Sequence, residues 1–176
     1  KNQLNPHFLF NSLNSLDYLI HTDAEKASEY VRKLASLYRH FLNIGEEESI
    51  MLKEELEFAE LYVDLLSQRF DNSLKVTFNI SEEYLGRLVI PCSLQVLMEN
   101  ATKHNIVSKD SPLEIMITTE DGYLVVKNNL QPKIYQNSST GVGLKNIRGQ
   151  YLSVFQKDIV INKSGQTFEV RLPIPD

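Results

Sequence analysis

Apolar positions recur at helical spacing through the first seventy residues of this chain and alternate with period two afterwards. Leu4, Phe8, Asn11 and Leu16 predict a helix over residues 1–20, its stripe widened by Leu9, Leu13 and Ile20. Pro6 has two readings there. It is either the first helical residue, capped by Asn5, or a kink in a helix entering from upstream. The second is preferred, because Lys1 already stands inside the helical pattern and the chain reads as part of a longer protein. Thr22-Asp23-Ala24-Glu25 reads as a capping box. It opens a helix to about Asn43, with Ala27, Val31, Leu34, Leu37, Tyr38 and Phe41 on one face and Gly45 as the stop. The short link makes an antiparallel hairpin, whose stripes a homodimer would bury as a four-helix bundle. A third helix is expected from Leu52 to Phe70, with Leu56, Ala59, Tyr62 or Val63, and Leu66 on one side.

Residues 74–80 alternate as a strand, and a domain boundary is placed near Asp71-Asn72. Pro91 is read as opening a helix that runs to Asn105. Residues 113–119 and 123–127 form a hairpin around Glu120-Asp121-Gly122. Residues 129–140 are polar and aperiodic, a long loop and a candidate lid. A helix over 142–155 and strands at 158–162 and 167–172 complete the chain.

Composition sharpens this in three places. Of the net charge of -5, all falls in residues 1–70, while residues 71–176 balance. No basic face exists for direct nucleic-acid binding. The acidic run from Glu46 to Asp64, opposed only by Lys53, reads as a solvated face. The single cysteine, Cys92, lies in an apolar context and reads as buried and inert.

The chemistry concentrates in two segments. Asn100, Lys103 and His104 stand at i, i+3 and i+4 on one face of a helix end: an amide oxygen suited to a hard cation, an ammonium and an imidazole. Gly141-Val142-Gly143 before a helix outlines a phosphate cradle, with free N–H groups at the helix start. It is neither the dinucleotide fingerprint nor a P-loop. His7 stands apart. A lone histidine is more often structural than catalytic, but Asn11 lies one turn on, where it could accept from Nδ1–H and leave Nε2 for attack. His21 and His40, near helix ends, read as surface residues.

In this order the segments Asn-Ala-x-Lys-His, hairpin, long loop and Gly-x-Gly-Leu-x-Asn-x-Arg resemble a known ATP-binding domain. Sensor histidine kinases, gyrase, one class of heat-shock chaperone and the MutL repair proteins share it. Asn5-Pro6-His7-Phe8-Leu9-Phe10-Asn11-Ser12-Leu13-Asn14 is similar to the phospho-acceptor box of the LytS-like histidine kinases, and Leu52 to Phe70 and Ile90 to Asn100 also resemble that family. The resemblance covers nearly the whole chain. It implies an α+β protein: a helical dimerisation module (1–70), then a two-layer α/β sandwich with mixed sheet that binds ATP (71–176). By the same likeness His7 accepts phosphate with Asn11 beside it, and Asn100 holds Mg²⁺. Lys103, His104 and Asn105 lie near the phosphates. Gly141, Gly143 and Leu144 end the lid, and Asn146 and Arg148 follow on the next helix. Asn128 stands where many relatives carry an adenine-binding Asp, in Asn128-Asn129-Leu130 for Asp-x-Gly. Val96 stands where gyrase-like enzymes carry a water-activating Glu, which favours transfer to His over hydrolysis. The implied partners are a second copy and a response regulator, commonly of LytTR type. The implied place is the cytoplasmic side of a membrane sensor, anchored by segments outside this chain. The alternative is a weakly nucleotide-binding signalling scaffold.

Overall fold

The computed structural model describes residues 6–134 and 141–176. Three helices come first: α1 (Pro6–Thr22), α2 (Ala24–Ile44) and α3 (Leu52–Phe70), each packed on the other two. The described part of α1 begins at Pro6, so the choice between cap and kink falls on residues outside the description. The capping box is displaced by one residue. Asp23 is the cap of α2, its carboxylate accepting from the Lys26 N–H at 3.2 Å, while the Thr22 hydroxyl turns back onto the Tyr18 carbonyl. A carboxylate outcompetes a hydroxyl for this place because it also complements the helix dipole.

The buried face of α3 is wider than the periodicity predicts. It takes in Leu52, Glu55, Phe58, Ala59, Tyr62, Leu65 and Leu66, and so settles on Tyr62 over Val63. His40 is not a surface residue as expected: its ring stacks on Phe58 at 5.1 Å between centroids, with Nε2 buried. On α1, Phe8 and Leu19 are buried, but Leu9, Phe10, Leu13, Tyr18 and Ile20 are exposed in the single chain. Leu9, Leu13 and Ile20 widen the apolar stripe, and a single copy of the hairpin leaves that side uncovered.

A two-residue strand β1 (Ile50–Met51) precedes α3 and pairs with β3 (Leu88–Val89). Two residues are too few to alternate, so no periodicity marks this ribbon. It ties the start of α3 to the second half of the chain, with further bonds from the Leu52 and Lys53 N–H groups to the Arg87 and Leu85 carbonyls.

The main sheet contains β2 (Leu74–Asn79), β4 (Leu113–Glu120), β5 (Tyr123–Asn129), β6 (Val160–Lys163) and β7 (Thr167–Pro173), in the order β2-β4-β5-β7-β6. Only β2 and β4 run parallel, with α4 (Ser93–His104) on the connection between them. Alternation sorts the two faces. Ile115, Ile117, Val126, Val170 and Leu172 point inward to the helices, while Glu114, Met116 and Lys127 point to solvent. The result is a two-layer α/β sandwich with mixed sheet, as expected. The β4–β5 turn places Asp121 and Gly122 at positive φ, the type that joins twisted strands through two residues.

Helix α4 starts two residues later than the proline suggested. Pro91 lies in the preceding turn, and Cys92 is the cap residue, at φ 65° with no side-chain acceptor of its own. A left-handed cysteine costs about 1–2 kcal/mol. The cap comes from α3 instead. The Cys92 N–H donates to Glu55 Oε2 at 2.9 Å, and the Leu94 N–H also bonds to this carboxyl. Glu55 is fully buried and Oε1 has no hydrogen-bond partner. Burial raises its pKa from the ordinary 4.5 to about 8, against the lowering effect of the two N–H groups. The titratable groups facing it are the Cys92 thiol and, from the last helix, the Tyr151 phenol. Burial pushes both up, so both are neutral. The folded chain therefore holds a proton that the unfolded chain has lost between pH 4.5 and about 8. This contribution to stability is fully present below pH 4.5 and is lost as pH rises through about 8. Urea unfolding at pH 5 and pH 9 will show the wild type losing more stability than Glu55→Gln. Equal losses would refute a buried neutral Glu55.

Candidate nucleotide cleft and acceptor histidine

Helix α5 (Val142–Phe155) lies beside α4, and between them opens a cleft of about 1140 Å³. It collects most of the residues singled out in the sequence: Asn100, Lys103, His104, Asn105, Asn128, Gly141, Gly143, Leu144 and Asn146. Each arrives for a local reason. Asn100 and Lys103 are one turn apart on α4. Asn128 shares the inward parity of Val126 on β5, so it faces the helices. Gly141 caps α5 at φ 60°, a conformation that favours glycine. Gly143 is small by necessity, since a Cβ there would lie 2.9 Å from Val96 Cγ1 and 3.8 Å from Asn100 Oδ1. The start of α5, with its unpaired N–H groups, is thus set directly over the Asn100 amide.

The charged residues that line the cleft are mostly cations. Lys103, Lys145 and Lys163 line it, and Glu99 is the acid among the lining residues. The His104 pKa is lowered by burial, then by Lys103 and Lys133, which favours the neutral ring. Asn128 Nδ2 donates to the Asn129 carbonyl at 2.8 Å, so Oδ1 is the acceptor this side chain can offer.

Two expected residues do other work. Asn105 lines the cleft, but its amide is engaged in structure: Nδ2 donates to the Ala101 carbonyl at 2.9 Å and Oδ1 accepts from the Gln131 N–H at 2.9 Å. Arg148 is on α5 as expected but does not line the cleft. It forms a two-pronged pair with Asp158, at 2.8 and 2.7 Å.

Sequence reasoning missed two contributors. Gln131 pins the chain after β5 to the end of α4, its Nε2 donating to the Ile106 and Ser111 carbonyls at 2.6 Å each. The turn Lys163-Ser164-Gly165 between β6 and β7 forms one wall, with Phe168 beside it. A glutamine in a polar loop carries no signal. The turn was legible as a turn, but only the sheet order brings it to the cleft. Half of the candidate lid, residues 135–140, lies outside the described residues.

His7 and Asn11 are not among the lining residues. They sit on α1, where Asn11 Nδ2 and His7 Nδ1 are 3.2 Å apart. As oriented, the amide N–H donates and Nδ1 accepts, which puts the proton of a neutral ring on Nε2. This reverses the expected polarity, and a half turn of the amide restores it. Phe8, the next residue, packs its ring on Tyr62 of α3 at 4.9 Å between centroids.

This order of helices and mixed sheet is shared with solved histidine-kinase structures. The cytoplasmic segment of histidine kinase QseC shares it over 86% of this chain and 94% of that one, at 13% identity and a TM-score of 0.52. The nucleotide-free catalytic domain of histidine kinase ThkA shares it over 72% of this chain and 96% of that one, at 16% identity and a TM-score of 0.51. A family model described as histidine kinase matches residues 1–74. Sensor protein LytS of Staphylococcus saprophyticus is 29% identical over 98% of this chain and 32% of its own length. Sensor histidine kinase/phosphatase LytS of Staphylococcus aureus is 28% identical over 97% of this chain and 33% of its own. Over nearly its whole length the chain is similar to the LytS-like sensor histidine kinases, and it spans about a third of the length of these relatives. No helix among the described residues is long and apolar enough to cross a membrane.

The Gly143 contact makes a prediction independent of any ligand. Gly143→Ala forces Val96 or the α5 start to move and lowers stability by about 1–3 kcal/mol, read from urea unfolding. An unchanged midpoint would show that the two helices are not in tight contact.

Proposed function

We propose that this chain is the kinase core of a sensor histidine kinase that binds Mg·ATP between α4 and α5 and phosphorylates His7. One observation carries this reading. Residues from four separate segments, around Asn100, Asn128, Gly141 and Lys163, converge on one cleft. Its cations and helix-start N–H groups suit a triphosphate. The cleft volume, about 1140 Å³, accommodates a nucleotide.

In this reading the Asn128 oxygen accepts from the adenine amino group, in place of the usual aspartate. Lys103, Lys145 and the N–H groups of Gly143 and Leu144 receive phosphate oxygens, with His104 and Asn146 close by. Asn105 acts indirectly, by holding the chain after β5 against α4. Arg148 braces α5 through Asp158. The Asn100 amide oxygen is a hard donor open to the cleft and fits one position on Mg²⁺, which when bound neutralises phosphate charge.

The transfer itself is a displacement at phosphorus. A lone pair on the His7 ring forms a P–N bond to the γ-phosphorus, the bond to the bridging oxygen breaks, and ADP departs with that electron pair. Attack through Nε2 requires the Asn11 amide turned so that its oxygen accepts from Nδ1–H. Val96 fills the place where a water-activating carboxylate would stand, packed against Gly143, which favours transfer over hydrolysis.

Residues 1–70 form the acceptor and dimerisation unit and 71–176 the nucleotide unit. The exposed Phe10, Leu13 and Ile20 of α1 support a homodimer that buries them. The phosphoryl group then passes to an aspartate of a response regulator, of LytTR type by likeness to the family. Membrane attachment comes from segments beyond this chain.

The test is incubation with γ-labelled ATP. The wild type is expected to take up acid-labile, base-stable label, and His7→Ala to take up none. Label persisting on His7→Ala would overturn the acceptor, and an unlabelled wild type would overturn the kinase.

A further inference from the structure

Glu55 is the buried ionisable group that the proposed reaction leaves unexplained. It lies on α3, far along the sequence from the cleft residues, yet its carboxyl meets the first N–H groups of α4. A buried carboxyl with one unpartnered oxygen is costly to desolvate, and its bonds to the α4 backbone are what offset that cost. Its geometry supplies what α4 lacks: Cys92 offers no side-chain cap. The same spot ties in α5. The hydroxyls of Ser93 and Tyr151 are 3.2 Å apart, and the Ser93 hydroxyl donates to the Ile90 carbonyl at 2.7 Å. Glu55, Ser93 and Tyr151 are all buried. Three helices thus meet in one polar knot beneath the cleft.

We propose that Glu55 is a positioning residue for nucleotide binding: it caps α4 from α3 and thereby fixes the helix whose far end carries Asn100, Lys103 and His104. The proposal rests on the reading of the cleft as the ATP site. Asn100 stands seven residues beyond Ser93, two turns along a short rigid helix, or roughly 10 Å. A first turn released from its cap frays and tilts, and the other end of the helix moves with it. Because α5 is tied to the same turn through Tyr151, both walls of the cleft shift relative to one another. Glu55 touches no ligand in this scheme and acts only through α4.

The experiment uses the 176-residue protein. It combines calorimetric titration with Mg·ATP and amide hydrogen exchange without nucleotide. In Glu55→Gln the side-chain oxygen accepts the same N–H bonds, and affinity is expected to stay within about twofold of wild type. Glu55→Leu keeps the bulk and loses the acceptor. Its affinity is expected to fall about tenfold or more, the size set by leaving buried N–H groups unpaired. Exchange at residues 92–97 is expected to quicken by a similar factor while residues 27–44 stay unchanged. Rescue by glutamine separates capping from mere space-filling. If Glu55→Leu does not fold, Glu55→Gln decides alone, since a large loss of affinity there overturns the proposal. So does a Glu55→Leu protein that binds as tightly as wild type. A wild type that binds no Mg·ATP at millimolar concentration overturns the ATP site, and this proposal with it. If the wild type binds and Glu55→Leu binds equally well, the proposal fails and the ATP site stands.

Discussion

Helix α4 is held at both ends by groups that belong to other elements, and the cleft exists because of it. At its start the backbone donates to Glu55 of α3. At its end Asn105 bonds the Gln131 N–H, and the His104 carbonyl accepts from the Lys133 N–H at 3.1 Å. A twelve-residue helix has little stability by itself. Fixed at both termini and packed on β4 and β5, it becomes a rigid edge against which α5 can be set. The approach of α5 is then limited by one atom, the Cβ that Gly143 lacks. Side chains that share no sequence neighbourhood converge there because the edge they face does not move.

What the sequence disclosed follows from the range of the interaction involved. The sheet was legible because alternation is local: Ile115 and Ile117, or Val126 and Asn128, announce their face within a few residues. The Asp121-Gly122 turn and the Gly141 start of α5 were legible because positive φ demands particular residues. Glu55 was not, since a glutamate on an acidic helix reads as solvated until its partner, thirty-seven residues on, is known. Arg148 was placed on the right helix, but its direction is set by Asp158 on the next loop. The cap of α2 moved from Thr22 to Asp23 because two good capping residues stood side by side, and pattern alone does not rank them.

The inward parity of Asn128 bears on the departure Asn128-Asn129-Leu130. Strand parity sets the direction of the side chain at 128, and an aspartate there would differ from Asn128 only in charge. Its neighbour Asn129 is taken up in structure, its oxygen accepting from the Glu114 N–H at 2.8 Å. Asn128 and Asn129 keep their pairing within β5, and Leu130, the third residue of the segment, also lines the cleft. A neutral amide oxygen still accepts from an amino group, with a weaker bond than an ionised partner gives.

Helices α1 and α4 are joined through one face of α3. Tyr62 packs on Phe8, beside His7, while Glu55 holds the start of α4. Positions 55 and 62 are seven apart, two turns of helix, so both contacts lie on the same side. Tyr62 also feels Glu99, the neighbour of Asn100: burial raises the phenol pKa and the Glu99 carboxylate raises it further. The first three helices and the α4–sheet layer are therefore not separated by a loose linker in this arrangement. Because α3 is packed against both α1 and α4, its orientation sets the placement of His7 relative to the cleft, and in the proposed reaction that placement decides whether an imidazole and a phosphate can meet.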